Sequence, residues 1–200
     1  MDYYYSYERK KEEAIEKPSK KEALFECIGA AVTALIAVVV IFLFFFRMVT
    51  IEGDSMLDTL HSGDRVIISN VLYTPKQGDI VVISRNADNS VEKESAEPII
   101  KRVIAVEGQT VDIDFEEGIV YVDGVALKED YTRTLTTVKY EDMIDFPAYV
   151  PENCIFVMGD NRNYSLDSRS EHIGDNGMID VRYVLGKAVF RVFPQTGGLY

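Results

Sequence analysis

From residue 27 to residue 46 the chain reads CIGAAVTALIAVVVIFLFFF, twenty positions without a charge, in which Thr33 is the only clearly polar side chain. At a rise of about 1.5 Å per residue this is one bilayer's worth of helix. A secretory signal's apolar stretch is shorter, about 7–15 residues, and follows a short leader, whereas this run is longer and begins after residue 26. The run is therefore expected to be a permanent anchor rather than a cleaved signal or a core helix. The expected organisation is a tail at 1–26, a transmembrane helix at 27–46 and an outer domain at 47–200.

Past the anchor the helical period disappears. Short runs rich in Val, Ile and Tyr recur between turn residues at 65–69, 79–84, 99–106, 110–115, 119–122, 125–127 and 154–158, and at 181–193 with a break at Gly186. Asp123-Gly124 between two apolar runs predicts a type I′ hairpin, because both central residues must accept positive φ. Many short strands with tight turns predict a mostly β domain, an antiparallel sheet assembly that is barrel-like or folded over on itself. Residues 86–97 and 128–145 lack a strand pattern and are expected to be surface loops.

Charge then decides orientation. The N-terminal flank carries Arg9, Lys10, Lys11, Lys17, Lys20 and Lys21, while the first twenty residues beyond the run hold only Arg47 and Arg65. The positive-inside rule places the N-terminus in the cytoplasm and the β domain outside a cell membrane crossed once. Of 21 basic and 33 acidic side chains, residues 1–26 hold six and seven, which leaves the outer domain with fifteen against twenty-six. Such a domain is repelled by an anionic lipid surface. With no basic stretch beyond the first 21 residues, nucleic-acid binding is excluded as a function class. Two cysteines, Cys27 and Cys154, cannot build a disulfide scaffold or a Cys-based zinc site, and no disulfide between them is expected.

Candidate chemistry lies in four segments: 52–65 (EGDSMLDTLHSGDR), 78–82 (GDIVV), 100–108 (IKRVIAVEG) and 158–169 (MGDNRNYSLDSR). Strand alternation puts Ile99, Lys101, Val103 and Ala105 on one face and Ile100, Arg102, Ile104 and Val106 on the other, so each apolar face carries one cation. Arg102 stays charged and needs a carboxylate. Lys101 has two readings: a snorkelling surface lysine, or an amine whose pKa is lowered by desolvation so that it acts as a general base. Ser55, behind Gly53, likewise reads either as the cap of a short turn or as a nucleophile that a neutral amine could activate. The 158–169 run fails as a calcium loop, since Arg162 stands where an oxygen ligand is required.

Together these segments resemble the bacterial type I signal peptidases, membrane-anchored Ser/Lys endopeptidases that remove signal peptides from exported proteins. The most specific part is 159–169, which fits the pattern GDNR-x-x-S-x-DSR at every fixed position. The resemblance implies that Ser55 is the acylating nucleophile and Lys101 its base. It further implies that Met56 lies beside the nucleophile, Arg102 is a structural cation beside the base, and Ser165 positions the lysine amine. Asp160, Arg162, Asp167 and Arg169 would form a charged scaffold, with Asp167 and Arg169 as a pair. It implies no cofactor and no metal. Preprotein signal peptides with small residues before the cut, the lipid bilayer and the secretion translocon are the implied partners. Two departures stand out: Asp58 replaces the usual proline of the Ser-Met-x-Pro-Thr-Leu box, where its charge could raise the pKa of Lys101, and Gly53 stands where some members supply an oxyanion-hole hydroxyl, leaving backbone N–H groups, chiefly that of Ser55.

Neither His61 nor His172 falls in the lysine box, so a Ser/His arrangement is not expected. Ile51, Met56, Ile83 and Val103 are candidate lining residues for the substrate, and residues 146–150 are either a lipid contact or the end of a core strand. The competing class is a non-catalytic or pilus-dedicated membrane-tethered assembly factor; self-cleaving SOS repressors share Ser/Lys chemistry but are soluble and bind DNA.

Overall fold

The computed structural model describes residues 19–84, 98–194 and 196–199, so the tail at 1–18 and the expected loop at 86–97 lie outside the described residues. The chain divides into two compact units, Met1–Phe44 and Phe45–Tyr200.

Helix α1 spans Lys20–Phe45, seven residues earlier at its start than the uncharged run. Its N-terminus is set by a reciprocal cap: Ser19 N–H donates to Glu22 at 2.7 Å and Glu22 N–H donates to Ser19 Oγ at 3.3 Å. The hydroxyl of Thr33 donates to the Gly29 carbonyl at 2.9 Å, so the one polar side chain of the run is satisfied within the helix. Leu24, Phe25, Ile28, Leu35, Ile36 and Phe42 are all exposed. The stretch Lys20–Phe42 is long and apolar enough to cross a membrane.

The second unit is built of two antiparallel sheets. The larger comprises β1 (Phe46–Thr50), β2 (Arg65–Ser69), β3 (Ile80–Ile83), β4 (Ile99–Val106), β9 (Cys154–Met158), β10 (Ile179–Asp180), β11 (Val184–Phe193) and β12 (Gly197–Gly198). Its order is β1-β2-β11-β3-β4-β9-β10, with β12 on β11. The smaller, in order β7-β6-β5-β8, uses β5 (Thr110–Asp114), β6 (Ile119–Val122), β7 (Val125–Ala126) and β8 (Ala148–Tyr149). Asp123 and Gly124 join β6 to β7 at φ of 52° and 76°, as the hairpin reading requires. Gly186 is not a break: β11 runs through it with a register shift against β3.

Three apolar clusters hold the unit together. The first joins Val111, Ile113, Val120 and Val122 of the small sheet to Ile104, Ala105, Phe156 and Met158 of the large one. Phe146 packs edge-on against Phe115 and Phe156 in this cluster, with Ala148 and Val150 buried, so residues 146–150 are a core strand end. The second gathers Ile51, Met56 and Leu60 onto Val66, Ile68, Ile80, Val82, Ile100 and Ala188. The third contains Val81, Ile83, Val103, Ile155, Val157, Ile173 and Ile179.

Simple alternation along β4 holds only to Val103. A register shift against β9 between Val103 and Ala105 puts Ile104 and Ala105 into the same cluster, and Val106 returns to that of Ile99 and Val103. Ile83 and Val103 are fully buried in the third cluster, whereas Ile51 and Met56 belong to the second. Of the expected lining set, Ile51 and Met56 share the second cluster with Val82 and Ile100, which pair across β3 and β4, while Ile83 and Val103 lie on the other face of these strands, that of Val81 and its partner Lys101.

Candidate active site

Ser55 sits in the turn that follows β1. Ile51 N–H bonds to the Asp64 carbonyl and Gly63 N–H to the Ile51 carbonyl, closing the base of the loop, and Gly53 reverses the chain at φ 81°. Met56 and Leu60 point into the second cluster and are joined by a Leu60 N–H to Met56 carbonyl bond of 2.9 Å. With those two side chains as pegs, Ser55 is left half-buried.

Lys101 lies in the middle of β4, opposite Val81, and only 5% of it is exposed. Its Nζ is hydrogen-bonded to Ser55 Oγ at 2.7 Å, across 46 residues of sequence. A lysine so buried and so bonded is not a snorkelling surface lysine.

Behind the pair lies a buried floor of charge. Asp160 receives Arg102 through both oxygens, at 2.8 Å from Nε and 2.6 Å from Nη2, and also accepts from Thr59 Oγ1 at 2.5 Å. One carboxylate thereby ties the residue next to Lys101 to the turn that carries Ser55. Arg102 spends a further N–H on the Gly78 carbonyl at 2.8 Å. Asp167 pairs with Arg169 at 2.8 and 2.9 Å and accepts Gly159 N–H at 2.9 Å. Burial pushes the Asp167 carboxyl up, but the Arg169 charge and the hydrogen bonds around it outweigh that and hold it below the usual carboxylate range. Burial by itself would lower Arg169; the Asp167 charge raises it instead.

Arg162, fully buried, finds its carboxylate in the segment expected to be a surface loop. Glu129 accepts from both terminal nitrogens of Arg162, at 2.8 and 2.6 Å, and Thr136 Oγ1 accepts a third bond at 3.2 Å. Tyr131 lays its ring 3.9 Å from the Arg102 guanidinium. Burial, then the Glu129 charge, pushes its phenol up to about 12, so it stays protonated. Tyr140 donates its hydroxyl to the Ser165 carbonyl at 2.7 Å. Residues 128–145 form no strand, apart from a single bridge between Met143 and Ser170, but they strap the charged floor and bury Thr136 and Ile144. The surface-loop expectation is corrected on this point: an irregular backbone can still deliver side chains to a core.

The other expected residues fall into place unevenly. Gly159 packs so closely on Ser165 Oγ and the Ser55 carbonyl that a side chain there would collide with both. Ser165 Oγ is buried beside the Asp167 carboxyl and makes no bond to the lysine amine, and Arg169 Nη1 is buried without a hydrogen-bond partner. Asp58 is exposed and faces Arg133 at 3.7 Å. His172 lies 3.5 Å from Asp142, and His61 bonds the Asp64 carboxylate through its backbone. Cys27 and Cys154 are both free. Among the described residues no cluster suited to a metal ion occurs.

Thr59, Asn161, Glu129, Tyr131 and Tyr140 are contacts that sequence reasoning missed. One signal existed for Glu129. The motif supplies three arginines, Arg102, Arg162 and Arg169, against only Asp160 and Asp167, so burial required a third carboxylate from elsewhere.

A profile of the family described as "Signal peptidase, peptidase S26" matches residues 24–193. A probable signal peptidase I-1 from Synechocystis is 38% identical over 184 residues, covering 90% of this chain and 87% of that protein. Signal peptidase I of Bacillus licheniformis is 35% identical over 184 residues, covering 88% and 92%. A solved signal peptidase I from Enterococcus faecalis is 26% identical, with a TM-score of 0.44, and covers 58% of this chain and 98% of its own. The chain belongs to the signal peptidase family, peptidase S26, and is accordingly a hydrolase that acts on peptide bonds.

Proposed function

We infer that this protein is a serine endopeptidase that removes N-terminal signal peptides from exported preproteins at the outer face of the membrane, through a Ser55/Lys101 dyad. The single observation that carries the reading is the 2.7 Å contact between Lys101 Nζ and Ser55 Oγ in a largely buried setting. Burial disfavours the ammonium, and an uncharged amine is what a serine needs to lose its proton.

In the first step Lys101 takes the Ser55 proton as Oγ bonds to the scissile carbonyl carbon. The resulting oxyanion is stabilised by the Ser55 N–H. Collapse of this intermediate breaks the C–N bond, and the departing amine, the new N-terminus, receives the proton from Lys101. The signal peptide is left as an ester on Ser55. Lys101 then takes a proton from water, the hydroxide attacks the ester carbon, and Ser55 leaves with that proton restored.

The residues around the dyad suit an extended chain with small side chains. Ile51, Met56 and Leu60, from the loop that carries Ser55, pack with Val82 and Ile100 in a buried apolar cluster, and an extended chain with small side chains would lie over it. The anchor and the lysine-rich flank put the site within reach of the outer leaflet: eight residues from Arg47 to Ser55 span at most about 28 Å. The bilayer and the secretion translocon are the expected neighbours there.

The test uses the full chain in detergent with a preprotein substrate. Ser55→Ala and Lys101→Ala should each abolish cleavage while leaving the fold intact by circular dichroism. Cleavage by either variant would remove the dyad from the mechanism. In sealed inverted vesicles an external protease should leave the β domain intact; its digestion would reverse the orientation.

A further inference from the structure

The backbone on both sides of Ser55 is held by a single residue. Asn161 donates its backbone N–H to the Ser55 carbonyl at 3.0 Å and its side-chain Nδ2 to the Asp54 carbonyl at 2.9 Å. Two consecutive peptide planes are thereby pinned to one post. The post itself is firm: Asp160 before it is clamped by Arg102 and Thr59, Arg162 after it by Glu129, and its own carbonyl accepts Tyr164 N–H at 2.9 Å.

The consequence follows from peptide geometry. In a planar trans peptide the C=O and the N–H point in opposite directions. Holding the Asp54 carbonyl against Asn161 therefore turns the Ser55 N–H away from Asn161. Loss of the side-chain bond leaves the Asp54 carbonyl with Leu57 N–H at 3.3 Å, a longer bond within the same exposed turn. The plane is then free to rock about its neighbouring dihedrals, and the N–H rocks with it.

We propose that Asn161 is a positioning residue for the oxyanion donor: its side-chain amide sets the Asp54–Ser55 peptide plane so that the Ser55 N–H is aimed before the substrate arrives. This rests on the reading of Ser55 as the nucleophile. Asn161 touches neither substrate nor reacting atoms in this scheme. Its effect is confined to the charge that appears on the carbonyl oxygen in the transition state, where preorganised donors matter most.

The test compares the full-length wild type with Asn161→Ala in detergent, using a peptide spanning a cleavage site and a boronic-acid analogue of the same peptide. The boronate forms a tetrahedral adduct with serine and carries the oxyanion that the substrate acquires only in transit. Asn161→Ala is expected to lower kcat on the order of 10- to 100-fold, less than the removal of a donor outright, with KM changed by no more than about twofold. The boronate should weaken by the same factor as kcat. A merely structural role would not tie those two quantities together. An unchanged kcat, or a fall in kcat with boronate affinity intact, overturns the proposal. Should Asn161→Ala fail to fold, Asn161→Asp keeps the shape, replaces the donor by an acceptor and is read by the same two outcomes. Ser55→Ala serves as the reference. If it still turns over, the nucleophile assignment fails; if it is inactive while Asn161→Ala is fully active, only the role of Asn161 fails.

Discussion

Arg102 stands with its guanidinium 3.9 Å from the centre of the Tyr131 ring while both of its forward N–H groups grip Asp160. The cation next to Lys101 is thus sealed on one side by an aromatic face and on the other by a carboxylate. Neither partner lies on β4, so the strand that carries Lys101 is fixed from outside itself.

That pair gives the first prediction. Arg102→Met leaves the Asp160 carboxylate buried and without its bidentate partner, and breaking one side of a buried pair costs about 3–5 kcal/mol. Urea unfolding of the full chain in detergent should show a loss of this size. The double variant Arg102→Met/Asp160→Leu should recover part of it, because no uncompensated charge remains.

Tyr131 separates ring from hydroxyl. The hydroxyl donates to Glu129 at 3.1 Å and the ring covers Arg102. Tyr131→Phe keeps the cover and is expected to retain most activity and stability. Tyr131→Ala opens the guanidinium to water and should lose about 1–2 kcal/mol from the cation–ring contact alone, read as a drop in Tm together with a lower kcat.

Gly159 permits a close approach that no other residue can. An alanine there would meet Ser165 Oγ and the carbonyl of Ser55 itself, so relief must come from shifts of the Ser165 side chain and the Ser55 backbone. Gly159→Ala is expected to cost about 1–3 kcal/mol in stability, as overpacking does. Its fall in kcat should exceed that of Tyr131→Ala, since the displaced atoms adjoin Oγ.

Acid should act through Asp167. Its folded pKa lies below the ordinary carboxylate value, so the unfolded chain binds a proton first as pH falls. The stability it contributes is present above about pH 3.9 and is lost as pH drops through the lower folded value. Urea midpoints measured from pH 5 downward should therefore fall for the wild type. Asp167→Asn, less stable throughout, should show a shallower decline over the same window, by up to one proton.

Much of this was legible in the sequence, for identifiable reasons. Strands at 65–69, 99–106, 119–122 and 154–158 match to the residue because they combine β-branched runs with sharp turn chemistry at both ends. Strand β1 was missed because Phe46 continues the apolar run and hides the change of period; the two-residue strands β8, β10 and β12 are too short to have one. Ser55, Lys101 and the 159–169 run stood out through the resemblance to the signal peptidases, since alternation and spacing alone left Ser55 and Lys101 with a second, non-catalytic reading. Glu129 and Tyr131 did not stand out, since they reach Arg162 and Arg102 from an irregular segment whose only ordering principle is the charge it must neutralise. The face of Ala105 was misjudged because a bulge is invisible to alternation.

The position of β11 has a consequence for the protein's birth. This strand, far beyond both in the chain, lies between β2 and β3, and so joins the half that carries Ser55 to the half that carries Lys101. During synthesis those halves emerge in order but lack the strand between them, and the 159–169 run that clamps both also comes late. Sheets closed by such distant partners assemble slowly. Until β11 is in place, the turn that bears Ser55 and the strand that bears Lys101 lack the strand that bridges them.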